Sequence, residues 1–137
     1  MADDKDTKDT SQALSSYQRV EDFYTDYANN IYLESSVWDL KLIFGQLDQS
    51  TNPVTTEQRA ALTIPWIQAK IFSYLLSIHL LAYEMANGKI VVPEAVMPPI
   101  PEPPTEEASK ADPNMQKFYD QMAKLREQFF GTKKPVA

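Results

Sequence analysis

Residues 63–88 of this chain read TIPWIQAKIFSYLLSIHLLAYEMANG, and this stretch predicts one long helix as the central element of the fold. A proline near its start suits the first helical turn, and Asn87–Gly88 is a typical helix end. Apolar side chains recur at three- and four-residue spacing, which places them on one face of the helix. We call this face the core row, and it consists of Ile67, Ile71, Tyr74, Leu75, Ile78, Leu81, Ala82 and Met85.

A second apolar row lies beside the core row. It leaves only a narrow polar stripe on the predicted helix, and a helix with two apolar rows needs cover on two sides. The chain offers one small sheet, so we expect this second row to meet another helix of the chain or a second copy, and we favour a homo-oligomer. We call it the interface row, and it consists of Phe72, Leu76, Leu80 and Tyr83.

Three strands are predicted upstream of the helix. Apolar and polar residues alternate from Ile31 to Phe44, with an interruption at Ser35–Ser36, and they alternate again over residues 57–64. Pro65 then ends the third strand, because proline has no backbone N–H to donate. We therefore expect an α+β domain over residues 28–92, with three antiparallel strands packed on one long helix. The strand residues expected beneath the helix are Trp38 and Leu42.

The flanking segments differ from this domain in composition. Residues 1–14 are acidic and polar, and we expect them to be disordered, as we do residues 132–137. For residues 15–27, a short helix and an extended arm are both allowed. Most of the ten prolines fall within residues 93–104, which predicts a stiff linker over residues 93–111.

A separate amphipathic helix is predicted over residues 112–131. Asp112–Pro113 is a helix start signal, and Gly131 is a stop signal. Its apolar row is exposed at the end of the linker, so we expect this helix to capture a protein partner. We call this row the C-terminal row, and it consists of Met115, Phe118, Tyr119, Met122, Leu125 and Phe129.

Several short motifs occur in one order along residues 27–92. They are YANN, WDLKLIFGQLD, PWIQAK and AYE followed three residues later by glycine. In these motifs the chain resembles a small bacterial family of domains of unknown function, which implies a strand–strand–strand–helix core but no activity. A weaker likeness is to the SecB-type export chaperones, in which an antiparallel sheet leads to a long helix and a proline-marked segment follows. That likeness implies binding of extended apolar segments.

The composition excludes most kinds of catalytic or ligand site. The chain has one histidine, His79, and no cysteine, so we expect neither an enzyme nor a metal or cofactor site. The nearly neutral core, with four basic and five acidic residues in 28–90, gives no electrostatic footprint for nucleic acid. The charged and polar residues inside the central helix make a membrane span unfavourable. Because no secretory signal is recognisable, we expect a cytoplasmic protein.

These features predict a non-enzymatic module for oligomerisation and protein binding. The partners expected are a second copy of the chain and an unidentified protein bound by the C-terminal row. The alternative is a SecB-like chaperone or secretion adaptor.

Overall fold

A computed structural model describes residues 16–131 of the chain. Its strands are β1 (Asn30–Ser35), β2 (Asp39–Asp48) and β3 (Thr55–Pro65). Its helices are α1 (Trp66–Asn87), α2 (Glu106–Ala111) and α3 (Pro113–Phe130), and a single 3-10 turn spans Glu94–Val96. The predicted α+β class with a three-stranded antiparallel sheet is confirmed. The predictions of disordered tails concern residues outside the described part of the chain.

The sheet has β2 at its centre, paired antiparallel with β1 on one side and with β3 on the other. Leu42 lies between Leu33 and Leu62, and it is one of two buried apolar side chains among the described residues; the other is Ile43. Residues opposite each other in an antiparallel pair point to the same side, so one side of the sheet is apolar. This apolar sheet face consists of Ile31, Leu33, Leu40, Leu42, Phe44, Ala60, Leu62 and Ile64.

A bulge interrupts the pairing of β2 with β3. Phe44 pairs with Ala60 while the next residue, Gly45, pairs with Gln58, so Arg59 is the extra residue of β3. The two backbones approach so closely here that a Cβ on Gly45 would lie 2.6 Å from the carbonyl oxygen of Glu57. Glycine is required at this position because any side chain would displace β3.

The turn between β1 and β2 is built on one serine. The Ser36 hydroxyl accepts hydrogen bonds from the backbone N–H groups of Trp38 and Asp39, both at 3.1 Å, and donates one to Asp39 Oδ1 at 2.8 Å. This turn holds Trp38 outside the strand, with 83% of its surface exposed. The prediction that Trp38 packs beneath the long helix is therefore wrong. Its partner in that prediction, Leu42, is buried within the sheet.

The joint between β3 and α1 contains no loop. Pro65 is the last residue of the strand and Trp66 is the first of the helix, and Trp66 Nε1 donates a hydrogen bond to the Ser36 carbonyl oxygen at 3.0 Å. Connections from strand to helix ordinarily take about 2–6 residues.

The first half of α1 keeps its apolar side chains exposed. Residues 66–76 belong to the same compact unit as the sheet, yet their large apolar side chains are 43–74% exposed. The extensive contacts between elements of this unit join one strand to another. Among its described residues, the predicted packing of the sheet on the helix is therefore not found.

A second compact unit begins at Ser77 and contains the end of α1 together with α2 and α3. The helix α2 lies within residues 93–111, which were predicted to be linker. It forms because the Thr105 hydroxyl accepts a hydrogen bond from the Ala108 N–H at 3.2 Å, and two glutamates follow in its first turn. Asp112 caps α3 in the same way, through the Asn114 N–H at 3.0 Å, so α2 and α3 follow each other almost directly.

The segment before β1 is an arm. Of the two alternatives for residues 15–27, its described residues form neither helix nor strand. The Asn29 N–H donates to the Gly45 carbonyl oxygen at 3.0 Å, and the Leu47 N–H donates to Asn29 Oδ1 at 2.9 Å. Gln46 Nε2 donates to the Tyr27 carbonyl oxygen at 2.9 Å. These bonds attach the end of the arm to β2.

Candidate protein-binding surfaces

The interface row of α1 is open along its whole length. Its four members follow one another at intervals of four, four and three residues on one side of the helix, and each is 43–55% exposed. The core row is equally open, since Ile71, Leu75 and Ile78 are each more than two-fifths exposed. Both apolar rows of the helix are thus available to another protein surface.

The apolar sheet face is the second open surface. Leu42 at its centre is buried, but Ile31, Leu33 and Leu62 around it are 63%, 52% and 64% exposed. The opposite side of the sheet carries the Lys41–Glu34 ion pair, whose charged atoms are 3.7 Å apart, and also the buried Ile43, which lies between Tyr32 and Ala61. The larger set of exposed apolar side chains lies on the side of Ile31, Leu33 and Leu62.

The C-terminal row of α3 divides into two parts. Met115 and Phe118 are exposed, while Tyr119 and Met122 are half-buried. Towards the end of the helix, Met122, Leu125 and Phe129 line a cleft of about 350 Å³ whose other wall is residues 97–101, which we call the proline segment. Part of the row predicted to bind a partner thus faces the chain's own prolines.

One side-chain hydrogen bond joins the proline segment to α3. Arg126 Nη1 donates to the Pro98 carbonyl oxygen at 2.7 Å, and the Arg126 guanidinium lies 5.2 Å from the centre of the Phe130 ring. Sequence reasoning missed this role of Arg126, because the two residues are 28 positions apart and no local pattern joins them. Residues 97–101, which were predicted to be part of a stiff linker, therefore contact α3.

A cleft of about 330 Å³ lies where the arm meets β3. Asp26 organises it: its carboxylate accepts hydrogen bonds from the Tyr27 N–H at 2.8 Å and the Tyr24 hydroxyl at 3.1 Å, and Arg59 Nη1 lies 3.7 Å away. The bond from the Tyr27 N–H, with that from Tyr24, lowers the pKa of Asp26 below its ordinary value. The bond to Asp26 in turn raises the pKa of Tyr24. These groups hold the arm against the sheet.

Three acidic residues of the sheet, Asp39, Asp48 and Glu57, form local hydrogen bonds or an ion pair. Asp39 accepts a hydrogen bond from the Ser36 hydroxyl. Asp48 accepts one from the Ser50 hydroxyl and one from the Ser50 N–H at 2.9 Å, and these two bonds lower the pKa of Asp48. Glu57 lies 3.5 Å from Arg59 Nε. In the part of the chain that the structure describes, no three His, Cys, Asp or Glu residues are grouped to hold a metal ion. His79 lies on α1 with its side chain exposed.

The motifs behind the family resemblance have local structural explanations. Asn29 of YANN accepts from the Leu47 N–H, and Gly45 of WDLKLIFGQLD is the bulge residue. In the last motif Gly88 has a φ of +88°, and Glu84 Oε2 accepts from the Ile90 N–H at 2.9 Å. These residues form a bulge, a helix end and the contact that joins the arm to β2.

Comparisons with known proteins do not assign this chain to a family. No protein-family model, no curated protein and no solved structure matches this chain. Among the described residues, no helix is both long enough and apolar enough to cross a membrane.

Proposed function

We propose that this protein is a non-enzymatic module that self-associates through α1 and binds a protein partner through α3. One observation carries the proposal: only Leu42 and Ile43 are buried apolar side chains among the described residues, while both rows of α1 are open. Apolar area is stabilised by about 25 cal/mol per Å² when it is removed from water. A chain that leaves this much of it exposed gains stability by covering it with another protein surface.

Sedimentation velocity of the full chain tests self-association. We expect the wild type to sediment as a dimer or a larger oligomer and the double variant Leu76→Glu, Leu80→Glu to sediment as a monomer. The matched control is Lys70→Glu, which changes the net charge by the same two units on the polar stripe and should leave the oligomer intact. A wild type that is monomeric at all concentrations tested would overturn this part of the proposal.

Partner binding by α3 requires a second experiment. The most exposed member of the C-terminal row is Phe118, with 70% of its surface exposed. In a pull-down, the immobilised Phe118→Asp variant should fail to retain the proteins that the immobilised wild-type chain retains. Lys124→Gln is the control, since it makes the same change of net charge on the opposite side of α3. Equal retention by Phe118→Asp and the wild type would remove α3 from the proposed function.

A SecB-like chaperone or secretion adaptor is the second candidate. The apolar sheet face supports it, because an extended apolar client could lie on that face and pair with the free edge of β3. The purified protein should then suppress the aggregation of an unrelated enzyme diluted from denaturant. The Leu62→Asp variant should suppress it less, and equal suppression by both would count against the sheet as the client site.

A further inference from the structure

Residues 97–104 read MPPIPEPP, and every one of them either is a proline or precedes one. Proline fixes φ at about −65°, and the residue before a proline is held in an extended conformation. These two restrictions favour the polyproline II helix, with φ of about −75° and ψ of about +145°. We call residues 97–104 the polyproline stretch, and it includes the proline segment.

The backbone at both ends of the polyproline stretch has this conformation. Met97 has a φ of −84° and a ψ of 140°, and Thr105, which follows the stretch, has a φ of −64° and a ψ of 159°. No residue of the stretch belongs to a helix or a strand. The structure therefore agrees with the conformation that the prolines favour.

The polyproline stretch buries one of its edges more than the others. A polyproline II helix has about three residues per turn, so residues three apart share an edge. Met97 and Ile100 share one edge, and both are half-buried. Pro98 and Pro101 share the second edge and are exposed, as is Pro99 on the third. Two edges that carry prolines are thus open to another protein.

Contact with α3 holds the polyproline stretch in place. Both belong to the same compact unit, and Arg126 Nη1 donates its hydrogen bond to the Pro98 carbonyl oxygen at 2.7 Å. A ligand that is ordered before it binds loses less conformational entropy on binding. A segment that served only as a spacer would gain nothing from this attachment.

We infer that the polyproline stretch is a ligand for a protein domain whose groove is lined by aromatic side chains and has basic residues at its rim. Aromatic-lined grooves bind segments with two prolines three residues apart in the polyproline II conformation. Pro98 and Pro101 have this spacing, and so do Pro101 and Pro104. This inference goes beyond self-association through α1 and partner binding through α3, and it does not depend on either.

The charge around the polyproline stretch selects the rim of the groove. Residues 91–109 contain four glutamates and neither lysine nor arginine. Glu102 lies within the stretch and is exposed, next to the open prolines. Charges of opposite sign across an interface favour the correct partner, and like charges disfavour others. A basic rim therefore fits this segment and an acidic rim does not.

Binding to a panel of purified SH3, WW and EVH1 domains, chosen with basic and with acidic grooves, tests the inference on the immobilised full-length chain. We expect domains with basic grooves to bind the wild type. The Pro98→Ala, Pro101→Ala variant should reduce their affinity by about tenfold or more, because it removes two anchors. Glu102→Lys changes one exposed side chain and should lower their affinity as well. The control, Pro93→Ala with Pro113→Ala, removes two prolines outside the stretch and should bind as the wild type does.

A synthetic peptide of residues 93–107 distinguishes two ways in which the inference would fail. Binding by the peptide but not by the full chain would show that α3 covers the open edges. Binding by neither would show that the stretch is not a ligand for such grooves. Undiminished binding by the double proline variant, or a preference for acidic grooves, would also overturn the inference. The Phe118→Asp variant should bind the panel as the wild type does, so loss of partner binding through α3 is measured separately.

Discussion

At the scale of single residues, the sheet depends on positions where polar or small side chains fit one arrangement of the backbone. Gly45 allows two strands to approach more closely than any side chain would permit. The Asp26 carboxylate interacts with Tyr24, Tyr27 and Arg59 near the start of the sheet. Both residues stand out in the structure and are unremarkable in the sequence, because their importance comes from neighbours distant along the chain.

Gly45→Ala should destabilise the protein. The new Cβ would lie 2.6 Å from the Glu57 carbonyl oxygen and 3.2 Å from Gln58 Cα, and both are backbone atoms that move only with the strand. We expect the free energy of unfolding to fall by about 1–3 kcal/mol, the range for forced overpacking. Urea unfolding at one fixed protein concentration measures it, and an unchanged midpoint would contradict the close approach at the bulge.

Asp26→Asn should lower stability at neutral pH and remove part of its dependence on acid. The pKa of Asp26 is lower in the folded state than in the unfolded chain, so folding favours the carboxylate. That contribution is fully present above the unfolded pKa and is lost as pH falls through the folded pKa, below about pH 4. Thermal midpoints should therefore differ between wild type and variant at pH 7 and converge near pH 2. A difference that persists undiminished at pH 2 would contradict the assignment.

At the scale of elements, periodicity in the sequence is sufficient to predict α1 and the three strands, because each has one dominant repeat over enough residues. Asp112–Pro113 and Gly131 likewise mark the ends of α3. The helix α2 could not be predicted in this way, since its six residues are too few to show a helical period. The position of Trp38 could not be predicted either, because an alternating pattern does not show at which residue the turn ends and the strand begins.

Contacts across the sequence are the other part that pattern reasoning does not reach. The bond from Arg126 to Pro98 and the ion pair of Arg59 with Asp26 join segments 28 and 33 residues apart. The loopless joint is visible in the sequence as Ile64–Pro65–Trp66, but its effect on packing depends on the direction of the helix. For the candidate surfaces, the sequence therefore predicts which side chains are apolar and not which of them the chain itself covers.

The end of α1 gives a prediction at this scale. Glu84 Oε2 accepts from the Ile90 N–H at 2.9 Å, beyond the turn at Gly88. Glu84→Ala removes this acceptor and should lower the free energy of unfolding by about 1 kcal/mol, the net contribution of one hydrogen bond. Glu84→Gln keeps an acceptor oxygen and should retain most of the stability. Equal losses in the two variants would show that the charge, and not the hydrogen bond, matters there.

At the scale of the whole molecule, only two apolar side chains are buried among residues 16–131, and the proposed self-association would cover more of them. Any process that binds the folded state and not the unfolded one raises the melting temperature by mass action, and self-association is such a process. The stability of this protein is thus expected to be a property of the assembly.

The melting temperature of the wild type should therefore rise with protein concentration. The Leu76→Glu, Leu80→Glu variant should melt at a lower temperature that is independent of concentration, because it has lost the association. Differential scanning calorimetry over a hundredfold range of concentration measures both. A wild-type midpoint that stays constant over that range would contradict an assembly that dissociates on melting.

The joint at Pro65–Trp66 also bears on how the protein is made in a cell. If two chains must meet before either completes its core, the rate of folding rises with the square of the number of newly synthesised chains. At low expression most chains would wait unpaired, with apolar helices open to proteases and chaperones, and would be degraded before they assemble. Abundance would then respond to the rate of synthesis with a threshold, so that halving the dose of the message would remove more than half of the protein.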